Sequence, residues 1–185
     1  SVQIDWKALM NRKNSVVRRL VGGVAGLLKA NGVTVHKGTG QLISGEEVQI
    51  QGDKPATLRA DAIILSTGSV PVKLNFPGAD LPGVVDSTGV LSLDKLPASI
   101  AIIGGGVIGV EFAALYAALG SQVTVIELLP EILPGIDSEL AANLKQSLSK
   151  NGVRFLNGAK LEAVSKTATG LSAHVALGNE TKEID

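Results

Sequence analysis

The chain has 185 residues, 45% of them hydrophobic, and its 17 basic residues balance its 17 acidic ones. This balance gives no electrostatic bias toward nucleic acid or an anionic membrane, so we expect neither as a partner. The apolar runs fall short of the roughly 18 residues that a membrane span needs, and the N-terminus lacks a signal-peptide pattern, so we expect a cytoplasmic protein. The chain has no cysteine, which excludes disulfides and thiolate nucleophiles within it.

The first part of the chain predicts one long helix followed by short strands. Apolar residues recur at three- and four-residue steps from Trp6 to Leu28, which predicts an amphipathic helix that ends at Asn31-Gly32. Its basic residues are interpreted as a solvated face. Short strands are predicted at 33–36, 47–50 and 61–66, with a turn at 38–40.

Residues 69–98 are rich in proline and glycine and predict a domain connection. Strand and helix patterns then alternate, which predicts a parallel sheet with right-handed crossovers. The predicted elements are strand 99–103, helix 107–119, strand 122–127, helix 138–150 with Asp137 as its N-cap, strand 153–156, and a hairpin of 159–166 with 171–177. No helix or strand is predicted after the hairpin to complete a doubly wound sheet, so we expect a piece of a larger protein.

Strand 99–103 runs directly into a G-x-G-x-x-G sequence at residues 104–109, and a helical pattern follows. Gly104 permits the tight turn, Gly106 admits backbone N–H groups to a pyrophosphate, and Gly109 lets the helix pack close to the strand. The positive end of the helix dipole then faces the phosphates. A glycine-rich turn in an ordinary α/β domain is the alternative, and the combination of strand, helix and a following acid disfavours it.

That acid is Glu127, at the end of strand 122–127. A carboxylate there can accept hydrogen bonds from the adenosine ribose and repels a 2′-phosphate. Leu128 and Leu129, which follow, supply no arginine for such a phosphate, so the sequence predicts NAD rather than NADP. Glu111 is placed in the first turn of the helix, where stabilisation by the dipole explains it as well as a ligand contact does.

Several ungapped blocks follow one another in sequence order, at residues 20–24, 38–40, 63–69, 86–93, 96–97, 104–111 and 119–127. Together they closely resemble the dihydrolipoyl dehydrogenase family of flavin-dependent pyridine nucleotide–disulfide oxidoreductases. The resemblance covers essentially the whole chain and implies an α/β fold. Residues 1–69 would be the C-terminal part of a split FAD-binding domain, 70–98 a connecting segment, and 99–185 a Rossmann-type NAD-binding domain with a β-hairpin insertion, truncated at its C-terminal end.

The resemblance also implies which residues contact the cofactors. Those on FAD would be Gly40, Thr67, Gly68 and Ser69; Ser66 stands where the family usually has alanine. Val107 would lie near the flavin face, Glu111 toward the nicotinamide, and Leu161 beside the adenine. The full set on NAD would be Gly104, Gly105, Gly106, Val107, Ile108, Gly109, Val110, Glu111, Glu127 and Leu161.

The catalytic groups of the family do not occur in this sequence. Members carry an N-terminal G-x-G-x-x-G for FAD, a C-x-x-x-x-C disulfide and a C-terminal His-Glu pair. His36 and His174 are isolated on strand patterns, with no cysteine or acid at a suitable spacing, so they are interpreted as surface or strand histidines. We therefore predict no catalytic residue and no metal ligand in this chain, and expect it to be inactive alone.

The resemblance implies that the intact enzyme oxidises protein-bound dihydrolipoamide with NAD, through FAD and the disulfide. It would be a homodimer that serves the lipoyl domains of the acyltransferase in 2-oxoacid dehydrogenase complexes. Two alternatives stay open: a mercuric, glutathione-like or other disulfide reductase of the same superfamily, and a non-catalytic NAD-binding module. The absence of arginines after Glu127 argues against the NADPH-using members.

Overall fold

The computed structural model describes residues 3–185 and divides them into two compact units. One unit contains Pro71–Asp185 and the described residues up to Trp6, and the other contains Lys7–Val70. The helices are α1 (Trp6–Ala30), α2 (Val107–Ala118) and α3 (Ser138–Lys150). The strands are β1 (Thr39–Leu42), β2 (Glu47–Gln51), β3 (Ala56–Arg59), β4 (Ser99–Ile103), β5 (Gln122–Glu127), β6 (Arg154–Asn157), β7 (Ala159–Lys166), β8 (Leu171–Leu177) and β9 (Glu180–Ile184). Over residues 3–185, no helix has both the length and the hydropathy for a membrane crossing.

The long predicted helix is confirmed as α1, and a glycine ends it. The Val33 N–H donates to the Leu28 carbonyl at 3.0 Å, and the Gly32 N–H donates to the Lys29 carbonyl at 3.1 Å. Gly32 has a φ of 69°, a left-handed conformation that glycine adopts without steric cost. This Schellman ending satisfies carbonyls that the helix itself leaves unpaired.

The strand predictions for the Lys7–Val70 unit are largely wrong. Residues 33–36 and 61–66 form no strand, and the predicted turn at 38–40 enters β1. β1, β2 and β3 form an antiparallel meander, in which β3 was not predicted. A strand exists only where a neighbour satisfies its backbone groups, and β2 supplies both of its edges to β1 and β3. Ile64 is 89% exposed and, in the described part of the chain, has no ladder partner.

The predicted parallel sheet is confirmed in the other unit, with strand order β4-β5-β6. β5 is the central strand and is buried from Val123 to its last residue, Glu127. The third strand is shifted by one residue from its prediction. The Asp137 carboxylate caps α3 as predicted, accepting from the N–H groups of Glu139 and Leu140 at 3.0 and 3.2 Å, a contact that typically contributes about 1 kcal/mol.

An aromatic group on α2 anchors the core beside this sheet. The Tyr116 hydroxyl donates to the Val90 carbonyl at 2.9 Å, and its ring lies 6.4 Å from the ring of Trp6 and 6.5 Å from that of Phe112. Burial raises the pKa of the Tyr116 phenol. The Trp6 indole in turn donates to the Leu93 carbonyl at 2.9 Å, which holds the segment before β4 against α2.

The predicted hairpin is confirmed as β7 and β8, and β9 extends it to a three-stranded antiparallel sheet. β9 was not predicted. Its pairing starts at Leu177↔Glu180, where Gly178 turns the chain with a φ of 60°. One face of this sheet packs on Ile126 of β5 through Ala173, Val175 and Ile184.

Candidate dinucleotide site

The turn from β4 into α2 has the geometry that its three motif glycines predict. Gly104 has a φ of +103°, and its N–H donates to the Ile126 carbonyl at 2.9 Å, so the turn begins on the sheet ladder. A Cβ on Gly109 would overlap the Gly104 carbonyl oxygen and lie 3.3 Å from the Cγ2 of Ile102. The first and third glycines therefore allow the helix to start directly against the strand.

Gly105, between the first two motif glycines, is held on both sides by hydrogen bonds to Glu127 and Leu133, an arrangement that we call the clamp. The Gly105 N–H donates to Oε2 of Glu127 at 2.6 Å, and the Gly105 carbonyl accepts from the Leu133 N–H at 2.8 Å. Oε1 of Glu127 accepts from the Leu129 N–H at 2.7 Å. The carboxylate thus joins the glycine loop to the segment that follows β5.

That segment, 128–136, is anchored at several points. Leu133 is buried and has a φ of 55°, a left-handed conformation that is costly for a leucine. The Gly158 N–H donates to the Leu129 carbonyl at 2.9 Å, and Nδ2 of Asn157 donates to the Pro130 carbonyl at 3.0 Å. These hydrogen bonds, with that from the Leu133 N–H to the Gly105 carbonyl, fix the backbone up to Leu133 and thereby hold it in the strained conformation.

The N-terminus of α2 is open toward a ligand. Gly106 is the N-cap, and no side chain caps the helix there. The first helical hydrogen bond runs from the Val110 N–H to the Gly106 carbonyl at 3.0 Å. The N–H groups ahead of Val110 therefore have no intrahelical acceptor. A Cβ on Gly106 would meet no atom within 4 Å. Open space, free donors and the positive end of the helix dipole together fit a pyrophosphate.

Glu127 is 8% exposed and carries the negative charge of this site. Each of its oxygens accepts one backbone N–H, and each oxygen has a second lone pair that can accept a hydroxyl donor. Leu128 and Leu129, which follow, are exposed and uncharged. The local charge balance therefore suits a neutral ribose edge better than a phosphorylated one.

The other residues predicted on NAD have different environments. Val107 and Ile108 are exposed on the first turn of α2, while Val110 is buried in the core. Glu111 is exposed, but its predicted place in the first turn is wrong, since α2 begins at Val107 and its first turn contains no acid. Leu161 packs against the cluster around Ile126.

The residues predicted on FAD lie in the Lys7–Val70 unit and are all exposed: Gly40, Thr67, Gly68 and Ser69. Gly40 is in β1, where a Cβ would lie 3.6 Å from Cγ1 of Val48. Gly68 has a φ of +74° in the irregular segment after β3. The structure thus places them on a strand and in an irregular segment, without an enclosing element among the described residues.

Sequence reasoning missed the clamp on Gly105 and the partners of one histidine. The residues around Leu133 give no sign of its left-handed conformation, although the prolines on either side of it predict an irregular loop. The prediction that His174 is isolated is wrong: Nε2 lies 2.8 Å from Oγ of Ser165, and Nδ1 lies 3.5 Å from Oε1 of Glu183. Pairing between neighbouring strands brings these side chains together, although each partner lies nine residues from His174 in the sequence. His36 lies in an irregular segment rather than on a strand.

Comparisons with known proteins find similar sequences and a similar fold. A dihydrolipoyl dehydrogenase of Chlamydia pneumoniae is 39% identical over 183 residues, covering 98% of this chain and 39% of that protein. One from Chlamydia trachomatis is 44% identical over 157 residues, covering 83% of this chain and 33% of that protein. The solved structure of the HOCl-induced flavoprotein disulfide reductase RclA from Escherichia coli matches with a TM-score of 0.83 at 31% identity, covering 97% of this chain and 41% of that one.

The chain therefore spans less than half the length of these relatives. The family model described as pyridine nucleotide-disulphide oxidoreductase matches residues 3–185. Enzymes of this family use FAD and a nicotinamide nucleotide. On this match over the described residues, the chain belongs to the pyridine nucleotide-disulphide oxidoreductase family.

Proposed function

We propose that this chain is the NAD-binding part, with a share of the FAD-binding part, of a dihydrolipoyl dehydrogenase. The intact enzyme would oxidise protein-bound dihydrolipoamide to lipoamide and reduce NAD, through FAD and a redox disulfide outside this chain. The observation that carries the proposal is the open N-terminus of α2 beside Glu127, whose carboxylate accepts from the Gly105 N–H at 2.6 Å. Relatives of that name support the reaction.

The chain's own residues would bind and orient the nucleotide. The N–H groups at the start of α2 would hold the pyrophosphate, and Glu127 would accept from the ribose hydroxyls with its free lone pairs. Val107 would lie where the nicotinamide approaches the flavin, and Leu161 would lie beside the adenine. The bound cofactors supply hydride transfer, and the protein supplies position and charge.

The FAD-binding share rests on the irregular segment that contains Thr67, Gly68 and Ser69, together with Gly40 on β1. Residues 61–66 have strand composition, and Ile64 is 89% exposed. We propose that these residues become a strand in the intact protein by pairing with a segment outside this chain. Such pairing would bury Ile64 and hold residues 67–69 against the flavin nucleotide.

The partners and location follow from the same proposal. The intact enzyme would be a homodimer acting on the lipoyl domains of 2-oxoacid dehydrogenase complexes in the cytoplasm. Relatives named dihydrolipoyl dehydrogenase support the enzyme assignment on which these partners and this location depend.

The nucleotide preference of the chain tests the proposed site. We expect weak NAD binding, and NADP binding at least about tenfold weaker, a difference of about 1.4 kcal/mol. The reason is that a 2′-phosphate would approach the buried Glu127 carboxylate with no basic residue directly after it. Titration calorimetry of the 185-residue chain measures both constants. Equal affinities would contradict the assignment of Glu127.

A second candidate function is a different disulfide reductase, which the TM-score of 0.83 with RclA favours. Assays of the intact protein separate the two functions. The proposal predicts NADH formation from dihydrolipoamide and NAD at a rate well above disulfide reduction by NADPH. If NADPH-dependent disulfide reduction dominates, the second candidate is correct.

A further inference from the structure

A second cluster of chemically active side chains lies on the antiparallel sheet, apart from the glycine loop. Ser165, His174 and Glu183 stand on three successive strands, β7, β8 and β9. Oγ of Ser165 is 2.8 Å from Nε2 of His174, and Oε1 of Glu183 is 3.5 Å from Nδ1 of the same ring. A hydroxyl, an imidazole and a carboxylate in this order form the arrangement that activates serine nucleophiles.

Strand register creates this arrangement. His174 is directly opposite Glu183 on β9 and directly opposite Ala163 on β7. Ser165, two residues after Ala163, is therefore the diagonal neighbour of His174. A bulge between Leu161 and Ala163 shifts the β7 register by one residue. Without that shift, alternation would turn Ser165 to the opposite face, the one that packs on β5.

The carboxylate determines which ring nitrogen accepts. An ionised Glu183 carboxylate accepts hydrogen bonds and donates none. Its position beside Nδ1 therefore favours the tautomer with the proton on that nitrogen. Nε2 then has a free lone pair and accepts from the Ser165 hydroxyl. This is the state in which an imidazole can take the serine proton.

The cluster is accessible to small reagents. Ser165 is half-buried, and the side chains of His174 and Glu183 are 30% and 70% exposed. β8 is paired on both edges, so its backbone N–H groups are used in the ladder. The Val164 N–H, next to Ser165, donates to the Pro77 carbonyl at 2.8 Å. These N–H groups are therefore not free to stabilise a developing oxyanion, which favours a single acyl transfer over rapid turnover.

We propose that Ser165 is a site of covalent acylation by small activated esters, with His174 as general base and Glu183 as the residue that positions the imidazole. Oγ of Ser165 forms a bond to the acyl carbon, and the bond from that carbon to the leaving oxygen breaks. The proton of the hydroxyl passes to Nε2 of His174 and then to the departing oxyanion. The site does not depend on the proposed nucleotide function.

Incubation of the 185-residue chain with p-nitrophenyl acetate tests the proposal. The chain has no cysteine, so no thiol competes for the reagent. We expect release of about one equivalent of nitrophenolate from this site, and peptide mass spectrometry should locate an acetyl ester on Ser165 that hydroxylamine removes. His174→Gln should slow acetylation of Ser165 at least about tenfold, and Glu183→Gln should slow it by a smaller factor.

Ser172 provides the matched control. It lies directly opposite Ser165 in the ladder, is 2% exposed, and its Oγ has no hydrogen-bond partner among the described residues. Ser172→Ala should leave the acetylation of Ser165 unchanged. Circular dichroism of each variant would verify the fold. Two results would overturn the proposal. One is acetylation of serines and lysines throughout the chain in proportion to their solvent exposure. The other is an unchanged rate of Ser165 acetylation in a folded His174→Gln variant.

Discussion

Gly109→Ala should disrupt the dinucleotide site together with the fold around it. The added Cβ would overlap the Gly104 carbonyl oxygen and lie 3.3 Å from the Cγ2 of Ile102. Gly104 cannot easily move, because its N–H donates to the Ile126 carbonyl at 2.9 Å. We expect the free energy of unfolding to fall by about 1–3 kcal/mol, as for other overpacked sites, and NAD binding to be lost. Urea denaturation and titration calorimetry measure the two effects.

Gly106→Ala is the matched control for that substitution. Gly106 has a φ of −71° and a ψ of −178°, which alanine adopts freely, and its added Cβ would meet no protein atom within 4 Å. The free energy of unfolding should change by less than about 1 kcal/mol. NAD affinity should nevertheless fall at least about tenfold, because the methyl group occupies the space where the pyrophosphate approaches the helix. Unchanged NAD affinity in this variant would contradict the placement of the phosphates.

Glu127→Ala should lower stability and nucleotide affinity together. The substitution removes the acceptor of both the Gly105 and the Leu129 N–H groups, which Glu127 holds at 2.6 and 2.7 Å. An unpaired buried donor costs about 1–3 kcal/mol, so urea denaturation should show a clear loss. Calorimetry should show weaker NAD binding and an NAD to NADP affinity ratio closer to one. NADP should not bind the variant as tightly as NAD binds the unchanged chain, because the glycine loop loses its clamp.

Glu127→Gln separates the clamp from the charge. Glutamine is nearly isosteric with glutamate, but its amide presents one acceptor oxygen and one NH₂ donor. One of the two N–H groups, that of Gly105 or that of Leu129, would then face another donor. We expect a loss of free energy of unfolding of about 1–3 kcal/mol despite the conserved shape. If this variant is as stable as the unchanged chain, the carboxylate acts only on the ligand and the clamp is unimportant.

The chain's local patterns were sufficient to predict the parallel sheet, α2, α3 and the β7–β8 hairpin. Each of these elements has its own period of apolar residues and its own start and stop signals, such as Asp137 before α3 and Gly120 after α2. The glycine motif was predictable for the same reason: its turn, its close approach and its helix start are all encoded within residues 104–109. The positive φ of Gly104 and the close approach of its carbonyl oxygen to Gly109 confirm that part of the prediction.

The Lys7–Val70 unit shows where local pattern fails. Residues 61–66 have the composition of a strand, but no described segment pairs with them, whereas the less apolar β3 forms because β2 offers it an edge. A strand is a property of two segments, since each satisfies the backbone groups of the other. Composition alone cannot supply the second segment.

The nucleotide fingerprint, the acid at the end of β5 and the alternation of strand and helix are all evident in the amino-acid sequence. The folded structure adds that Glu127 accepts from two backbone N–H groups, that Leu133 is held in a left-handed conformation, and that His174 has partners. The first set depends on residues a few positions apart, whose geometry the backbone period dictates. The second set depends on contacts between different strands and loops, and these contacts form only once strand pairing and register are fixed.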